Sequence, residues 1–478
     1  MTRNLKIISA LILSLLLISG CAGYSDLKPQ AEINSVPLTG VQTGSGFWPS
    51  EKWWKQFNDS QLDALIDEAL SGNPSLSEAR ARIRVAEAAS GIAKSADAVQ
   101  IVGDAASTYQ RFPEHESYPP QFAGERDTVN RLQIAAGYDF DLWGKNKADY
   151  EASLGEIMVA ELESAAAKLT LTSALALDYL RLDRAYRLNE LMENEFETFS
   201  RILALQKKRH AAGLDSQDAV ARTESSVAIV NANLKKIHEE IVRLKMRLGT
   251  MTGAGPERGL KLNRPLLNLL AEVELPADIP AELIGRRPDI SAQKWRVESL
   301  QKRIDSAKAD FYPNINLNAF AGFRSIGLDN LLKSGSETFG IGPAMTLPIF
   351  NGGRLRSNLA MKNAQYDEAV ERYNTLILKA VQEVADIAIS GTENNKQLIS
   401  RKNSVASLEH AAKLASLNFQ SGLTGELPLL RTRLDILNAN STVIDLQSRQ
   451  AELLVSMNRA LGGGTNMNKS DSEEQNNE

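Results

Sequence analysis

From Thr338 to Phe350 the chain reads TFGIGPAMTLPIF, with apolar residues on every second position: Phe339, Ile341, Pro343, Met345, Leu347 and Ile349. That period predicts a strand with one greasy face. After Gly352-Gly353 the spacing turns helical, and no proline follows until Pro428. The same order of events occurs earlier in the chain. Leu132, Ile134, Ala136, Tyr138, Phe140 and Leu142 alternate with Arg131, Gln133, Ala135, Gly137, Asp139 and Asp141, and Trp143-Gly144 then opens a long helical stretch. Two more strands precede these. One carries Ile315, Leu317, Ala319, Ala321 and Phe323; the other, Ile101 to Phe112, has its alternation blurred by small residues. Polar loops from Pro113 and from Ser325 join the strands into two hairpins, about 100–143 and about 313–350.

No proline occurs between Pro120 and Pro256 or between Pro348 and Pro428. Both windows are rich in good helix formers. They predict long helices over 145–210 and 354–420, with return helices over 217–249 and 426–461. At 1.5 Å per residue each long helix reaches roughly 100 Å, more than a compact globule holds, which points to a coiled-coil-like assembly. The halves also match one another. Gly144-Lys145 corresponds to Gly353-Arg354, Gly213-Leu214 to Gly422-Leu423, and Arg222-Thr223 to Arg431-Thr432, all at one offset of about 209 residues. Duplication of one helical unit is the economical reading.

Strands of roughly ten residues with one apolar and one polar face have the length and alternation of outer-membrane barrel strands. A soluble four-stranded sheet packed on helices is the alternative. Four strands cannot close. Eight, from a dimer, would leave an interior filled by side chains, whereas twelve, from a trimer, would enclose a water-filled lumen. Open strand edges are not tolerated in lipid, so membrane strands would have to close between chains.

The N-terminus changes the weighting. Arg3 and Lys6 precede the apolar run Ile7 to Ile18, followed by small residues and Cys21, the single cysteine of the chain. This is a secretory signal, too short to span a membrane. LISGC resembles the lipobox of bacterial lipoproteins, which implies cleavage before Cys21 and a covalent lipid on it. An ordinary signal peptide with an incidental cysteine is the alternative. Ala22 in the following position implies, by the same resemblance, delivery to the outer membrane.

Composition excludes more than it specifies. The 478 residues carry a net charge of −5, so no basic excess points to nucleic acid. Aromatic residues are 6%, low for one large compact core. His115, His210, His238 and His410 are scattered without metal-ligand spacing, and the HEE at His238 lacks the second histidine of a zinc-protease helix. GAGPERG from Gly253 has no Lys-Ser/Thr after it and ends a helix where a phosphate loop would begin one. An enzyme is not expected, nor any cofactor beyond the lipid.

WWKQFNDSQLDALIDEAL from Trp53, IGRRPDI from Ile284, ADFYPNINL from Ala309 and LPIFNGGRLRSNL from Leu347, in this order and in two repeats, resemble the outer-membrane factors of the TolC/OprM type. The nearer resemblance is to the NodT-like lipoprotein branch. The fold this implies is an α+β membrane protein: a trimeric twelve-stranded outer-membrane β-barrel, four strands per chain, continuous with a long periplasmic α-helical barrel and ringed by a mixed equatorial domain. The chain divides accordingly into a signal peptide (1–20), an anchor and N-terminal segment (21–60), a first repeat (61–255), an equatorial connection (256–286), a second repeat (287–463) and a disordered polar tail (464–478).

The implied function is the exit duct of a tripartite efflux pump, passing small molecules from an inner-membrane transporter and a periplasmic adaptor to the exterior. A protein-secretion duct shares the fold, and a lipid-anchored periplasmic coiled-coil scaffold is the alternative outside transport. By the same resemblance the helix turns at Gly213, Leu214, Gly422, Leu423 and Thr424 dock the adaptor, although glycine there is also an ordinary helix stop. Leu427 and Arg431 fall where the resting tube narrows. Members often carry an acidic residue where this chain has Arg431, so a partner such as Asp435, Asp218 or Glu224 is expected. Trp143, Gly144, Phe350, Gly352 and Gly353 mark the passage from barrel to helices, with the aromatics at an interface belt or packing the junction.

Overall fold

A computed structural model describes residues 24–34, 48–116, 118–267 and 285–464. The signal peptide, Cys21, most of the 256–286 connection and the tail from 465 onward lie outside the described residues. By backbone contacts the chain forms two units. The first gathers Arg82–Ala160, Gln293–Tyr373 and the described residues up to Ile33; the second holds the rest.

The first unit contains the sheet. Strands β1 (Gln100–Arg111), β2 (Arg126–Phe140), β3 (Asn314–Ile326) and β4 (Glu337–Thr346) lie in the order β1-β2-β3-β4, every neighbour antiparallel. β1, where the pattern is faintest, pairs with β2 along its whole length, from Gln100↔Gly137 to Arg111↔Arg126. Gly103, Ala105 and Ala106 weaken the alternation of side chains, but the backbone ladder does not depend on it. β2 and β4 differ from expectation at their ends. β2 starts at Arg126 and stops at Phe140, short of Leu142. β4 stops at Thr346, four residues short of Phe350, because Pro348 has no N–H to continue the ladder. Pro343 sits within β4, a strand on the edge of the single-chain sheet, where a residue without an N–H is tolerated.

The register sorts the side chains into two faces. One carries Leu132, Ile134, Tyr138 and Phe140 of β2 beside Phe323, Ala321, Leu317 and Ile315 of β3, and beyond these Phe339, Ile341, Pro343 and Met345 of β4. The other carries Asp104, Arg131, Gln133, Asp139, Asn316, Asn318 and Arg324. Two glycines permit close contact here. A Cβ on Gly322 would lie 2.2 Å from the Leu132 carbonyl, and the Phe320 ring covers Gly340 across the β3–β4 pair. The helices of this unit include most of α2 (Pro74–Ser95), most of α6 (Pro288–Ala309) and the first parts of the two long helices. Ile304, Ala307, Phe311, Leu355 and Leu359 form its buried cluster, with Tyr24 and Leu27 packed against it.

α3 (Lys145–Ala211) and α7 (Arg354–Gln420) have 67 residues each. Their return helices α4 (Gln217–Met251) and α8 (Glu426–Ala460) have 35 each. Every one of these boundaries recurs 209 residues later, so the repeat holds in the backbone to the residue. The core of the second unit packs Trp53, Trp54, Phe57, Leu62, Leu65 and Ile66 against Leu175, Tyr179 and Leu182, with Leu248 and Val455. Asp59 caps α1 (Ser60–Gly72), accepting from the Gln61 and Leu62 amides, and also accepts from the Tyr179 hydroxyl at 3.0 Å and the Leu266 amide at 2.8 Å. Burial in this core pushes the Tyr179 hydroxyl well above its ordinary value.

Two of the three glycines of GAGPERG, Gly253 and Gly259, serve packing. Gly253 ends α4, and a Cβ there would lie 2.2 Å from the Gly72 carbonyl; Gly259, in the short α5 (Pro256–Leu260), approaches the Lys245 carbonyl closely enough to exclude any side chain.

Candidate functional site

Both long helices end in the same backbone motif. Gly213, at φ 73°, donates to the His210 carbonyl at 2.9 Å, and Leu214 donates to that of Arg209 at 2.8 Å. Gly422, at φ 71°, donates to Phe419 at 3.0 Å, and Leu423 to Asn418 at 2.9 Å. This is the Schellman stop, which needs a residue at ease with positive φ and satisfies carbonyls that the helix leaves open. The residue after the glycine commonly packs back on the helix. Here it does not: Leu214 is 65% exposed and Leu423 75%. Thr424 is exposed too. The return helices start differently. Ser216 caps α4 by accepting from the Ala219 amide, whereas Gly425 at the start of α8 offers no side chain.

Charge organises the surroundings. Arg209 grips Asp215 through two hydrogen bonds, at 2.9 and 3.1 Å, and His210 Nδ1 lies 2.9 Å from the Asp215 carbonyl oxygen. Arg209 holds the Asp215 carboxyl below its ordinary range, with Arg431 and His210 adding to the effect. Arg431 adds to the field at Asp215, whose direct ion pair is with Arg209, and no ion pair joins Arg431 to Asp435, Asp218 or Glu224 among the described residues. Asp218 and Glu224, expected as candidates, are already paired with Arg222 at 2.9 Å and Lys207 at 2.7 Å. Leu427 is half-buried one turn before Arg431, on the same helix.

A series of polar bridges ties α3 to α8. Arg201 meets Glu426 with two hydrogen bonds, at 3.0 and 3.2 Å; Arg184 reaches Asp445 at 2.8 Å; Arg187 bonds Gln447. None of these was evident in the sequence. The partners are 225 to 261 residues apart, and arginine at helical spacing is otherwise an ordinary solvated face.

At the strand-to-helix passages the glycines again take positive φ: 71° at Gly144, 60° at Gly352 and 85° at Gly353. Each passage has its own cap. Asp141 accepts from the Lys147 amide at 2.9 Å, and Asn351 from that of Leu355. Trp143 stacks on Tyr312 at 4.6 Å, and its indole N–H donates to the Pro313 carbonyl. Phe350 is 91% exposed. The first aromatic thus packs its junction and the second stands free.

The RRPD stretch lies elsewhere, in the second unit. Arg287 makes two hydrogen bonds to Asp289, at 3.1 and 2.8 Å, and one to Glu383 at 2.9 Å; Arg459 meets Glu383 at 2.7 Å. Burial opposes charge on both carboxylates, yet Arg287 on each, with Arg459 on Glu383, holds them below their ordinary range. Among the described residues no group of histidine, cysteine, aspartate or glutamate side chains is arranged to hold a metal ion.

The chain is similar along most of its length to known outer membrane proteins. The multidrug resistance outer membrane protein MdtP of Shigella flexneri is 30% identical over 467 residues, covering 94% of each chain. The fusaric acid resistance protein FusA of Burkholderia cepacia is 34% identical over 373 residues, 76% of this chain and 70% of FusA. Among solved structures, the outer membrane protein VceC of Vibrio cholerae superposes with a TM-score of 0.80 at 34% identity, covering 87% of this chain and all of that one. The CmeC outer membrane channel of Campylobacter jejuni reaches 0.83 at 23% identity, covering 94% and 98%, a likeness of fold. The model of the outer membrane efflux protein family matches residues 65–254 and 279–463. With both repeats so matched, the chain belongs to the outer membrane efflux protein family.

Proposed function

We propose that three copies of this chain form the outer-membrane exit duct of a tripartite efflux pump, conducting small molecules passively to the exterior. The observation that carries the reading is the sheet: two distinct faces, and two edges, β1 and β4, left unpaired within one chain. Edges of 12 and 10 residues in lipid require a partner, and β4 of one copy against β1 of the next supplies it. Twelve strands then enclose a lumen. The apolar face supports immersion. Phe323, paired with Leu132, lies eight residues along the strand from Phe140, about 27 Å, which at a barrel tilt of about 40° is about 20 Å of height and fits within an apolar band between aromatic girdles.

In this reading the strand-to-helix glycines turn the chain from membrane barrel to periplasmic tunnel. Leu214 and Leu423, exposed at the helix stops, receive the adaptor, and the adaptor and an inner-membrane transporter supply cargo and energy. Leu427 and Arg431 narrow the periplasmic end. Cys21 carries the lipid, three residues before Tyr24, which packs against Phe311 and Tyr312 of the sheet-bearing unit. The names of the relatives, multidrug and fusaric acid resistance, favour small-molecule cargo over protein.

The test is a chromosomal deletion compared with deletion of its adaptor, alongside purified protein in planar bilayers. Matching hypersensitivity and ion conductance from a heat-modifiable trimer support the duct. Monomeric, non-conducting protein overturns it.

A further inference from the structure

The register places two arginines of the polar face side by side. Arg131 of β2 lies directly opposite Arg324 of β3. Like charges in facing positions of an antiparallel pair are unfavourable unless something neutralises them. One carboxylate is close: Asp104, opposite Gln133 on β1, forms an ion pair with Arg131. Arg324 is exposed and has no ion-pair partner among the described residues. Each chain therefore carries two guanidiniums and one carboxylate at this level, one positive charge in excess.

No other charge of the sheet cancels that excess. On the same face Asp127 lies four residues from Arg131 toward the hairpin loops, and Asp139 eight residues toward the helices. These are about 13 and 27 Å along the strand, beyond the screening length of roughly 8 Å at physiological salt. Glu337 is level with Phe323, on the opposite face, and its carboxylate accepts from the Gly335 amide.

On these observations we propose that Arg131 and Arg324 form an anion-binding girdle inside the barrel, which holds and favours anionic cargo bearing more than one oxyanion group. The inference rests on the trimeric duct proposed above. Charged side chains in mid-strand identify their face as the water-filled one, since a guanidinium on the lipid side costs about 2–4 kcal/mol at the midplane. Three copies bring six guanidiniums and three carboxylates to one level of the lumen. Guanidiniums present paired donors in the fork geometry that suits carboxylates, phosphates and sulfonates. The excess charge per chain is Arg324, the one with its donors unclaimed.

The experiment is block of single-trimer current by inositol hexakisphosphate, a compact polyanion. It is added to the chamber facing the hairpin loops, with full-length protein in bilayers of neutral phosphatidylcholine. Approach from that side reaches the girdle without passing the periplasmic constriction. Wild type is expected to show block that weakens with added salt. Arg324→Gln is expected to bind the blocker about tenfold more weakly, the loss of one charge-assisted contact per chain. Asp104→Asn, which removes the countercharge, is expected to strengthen block, so the series contains a gain as well as a loss. Absence of block in conducting wild-type trimers, or equal block in wild type and Arg324→Gln, overturns the girdle. Absence of any conductance overturns the duct, and the girdle with it.

Discussion

Replacing Arg287 tests how the RRPD stretch holds the second unit together. Its side chain is 14% exposed and faces Asp289, 38% exposed, and Glu383, 28% exposed. Removing one partner of a buried ion pair typically costs 3–5 kcal/mol, because the remaining charge is left uncompensated. Solvent reaches both carboxylates here, and Arg459 still serves Glu383, so about 2–4 kcal/mol is expected for Arg287→Met. Arg287→Lys keeps the charge but loses the fork, and about 1–2 kcal/mol is expected.

The pH dependence has a definite sign. Asp289 and Glu383 lie below their ordinary values of 3.8 and 4.5 in the folded protein. Carboxylates so depressed contribute stability that is complete above those ordinary values and is lost as pH falls through the folded ones. In Arg287→Met burial acts with less opposition and raises them. The gap between wild type and variant should therefore be widest near pH 7 and shrink below pH 4. Trp53 and Trp54, both 3% exposed in the same unit, report its unfolding in urea by fluorescence, at fixed protein and detergent concentration. Equal midpoints at neutral pH, or a gap that persists undiminished in acid, would refute the reasoning.

Three further outcomes follow from the proposed duct. Leu214→Glu with Leu423→Glu should leave the trimer intact and abolish cross-linking to the adaptor in cells; undiminished cross-linking assigns docking elsewhere. Gly213→Val should destabilise the first turn by about 1–2 kcal/mol, the cost of a left-handed conformation in a residue with a Cβ, and so broaden local hydrogen exchange there. Arg431→Ala should raise single-channel conductance; an unchanged value in planar bilayers removes it from the constriction.

Much of this architecture was legible because it is written in local periodicities. Alternation at every second residue located β3 and most of β4, and stretches of helix formers broken by glycine marked the four long helices. The glycines at the helix stops stand out because only a residue without a Cβ takes φ near 70° at no cost, so the need for them survives in both repeats. β1 was faint for the converse reason. Its small side chains carry little hydrophobic signal, while its pairing is made by backbone atoms common to all residues.

What the sequence by itself determined is therefore the set of elements, their duplication and the family. The tertiary structure alone decided which charges meet. Arg201 finds Glu426 across 225 positions, Arg209 takes Asp215 while Asp218 and Glu224 are held by other neighbours, and Arg131 comes to lie beside Arg324. Local structure follows from each residue and the few beside it, whereas an ion pair depends on a register between distant segments, which is set by the packing of everything around them.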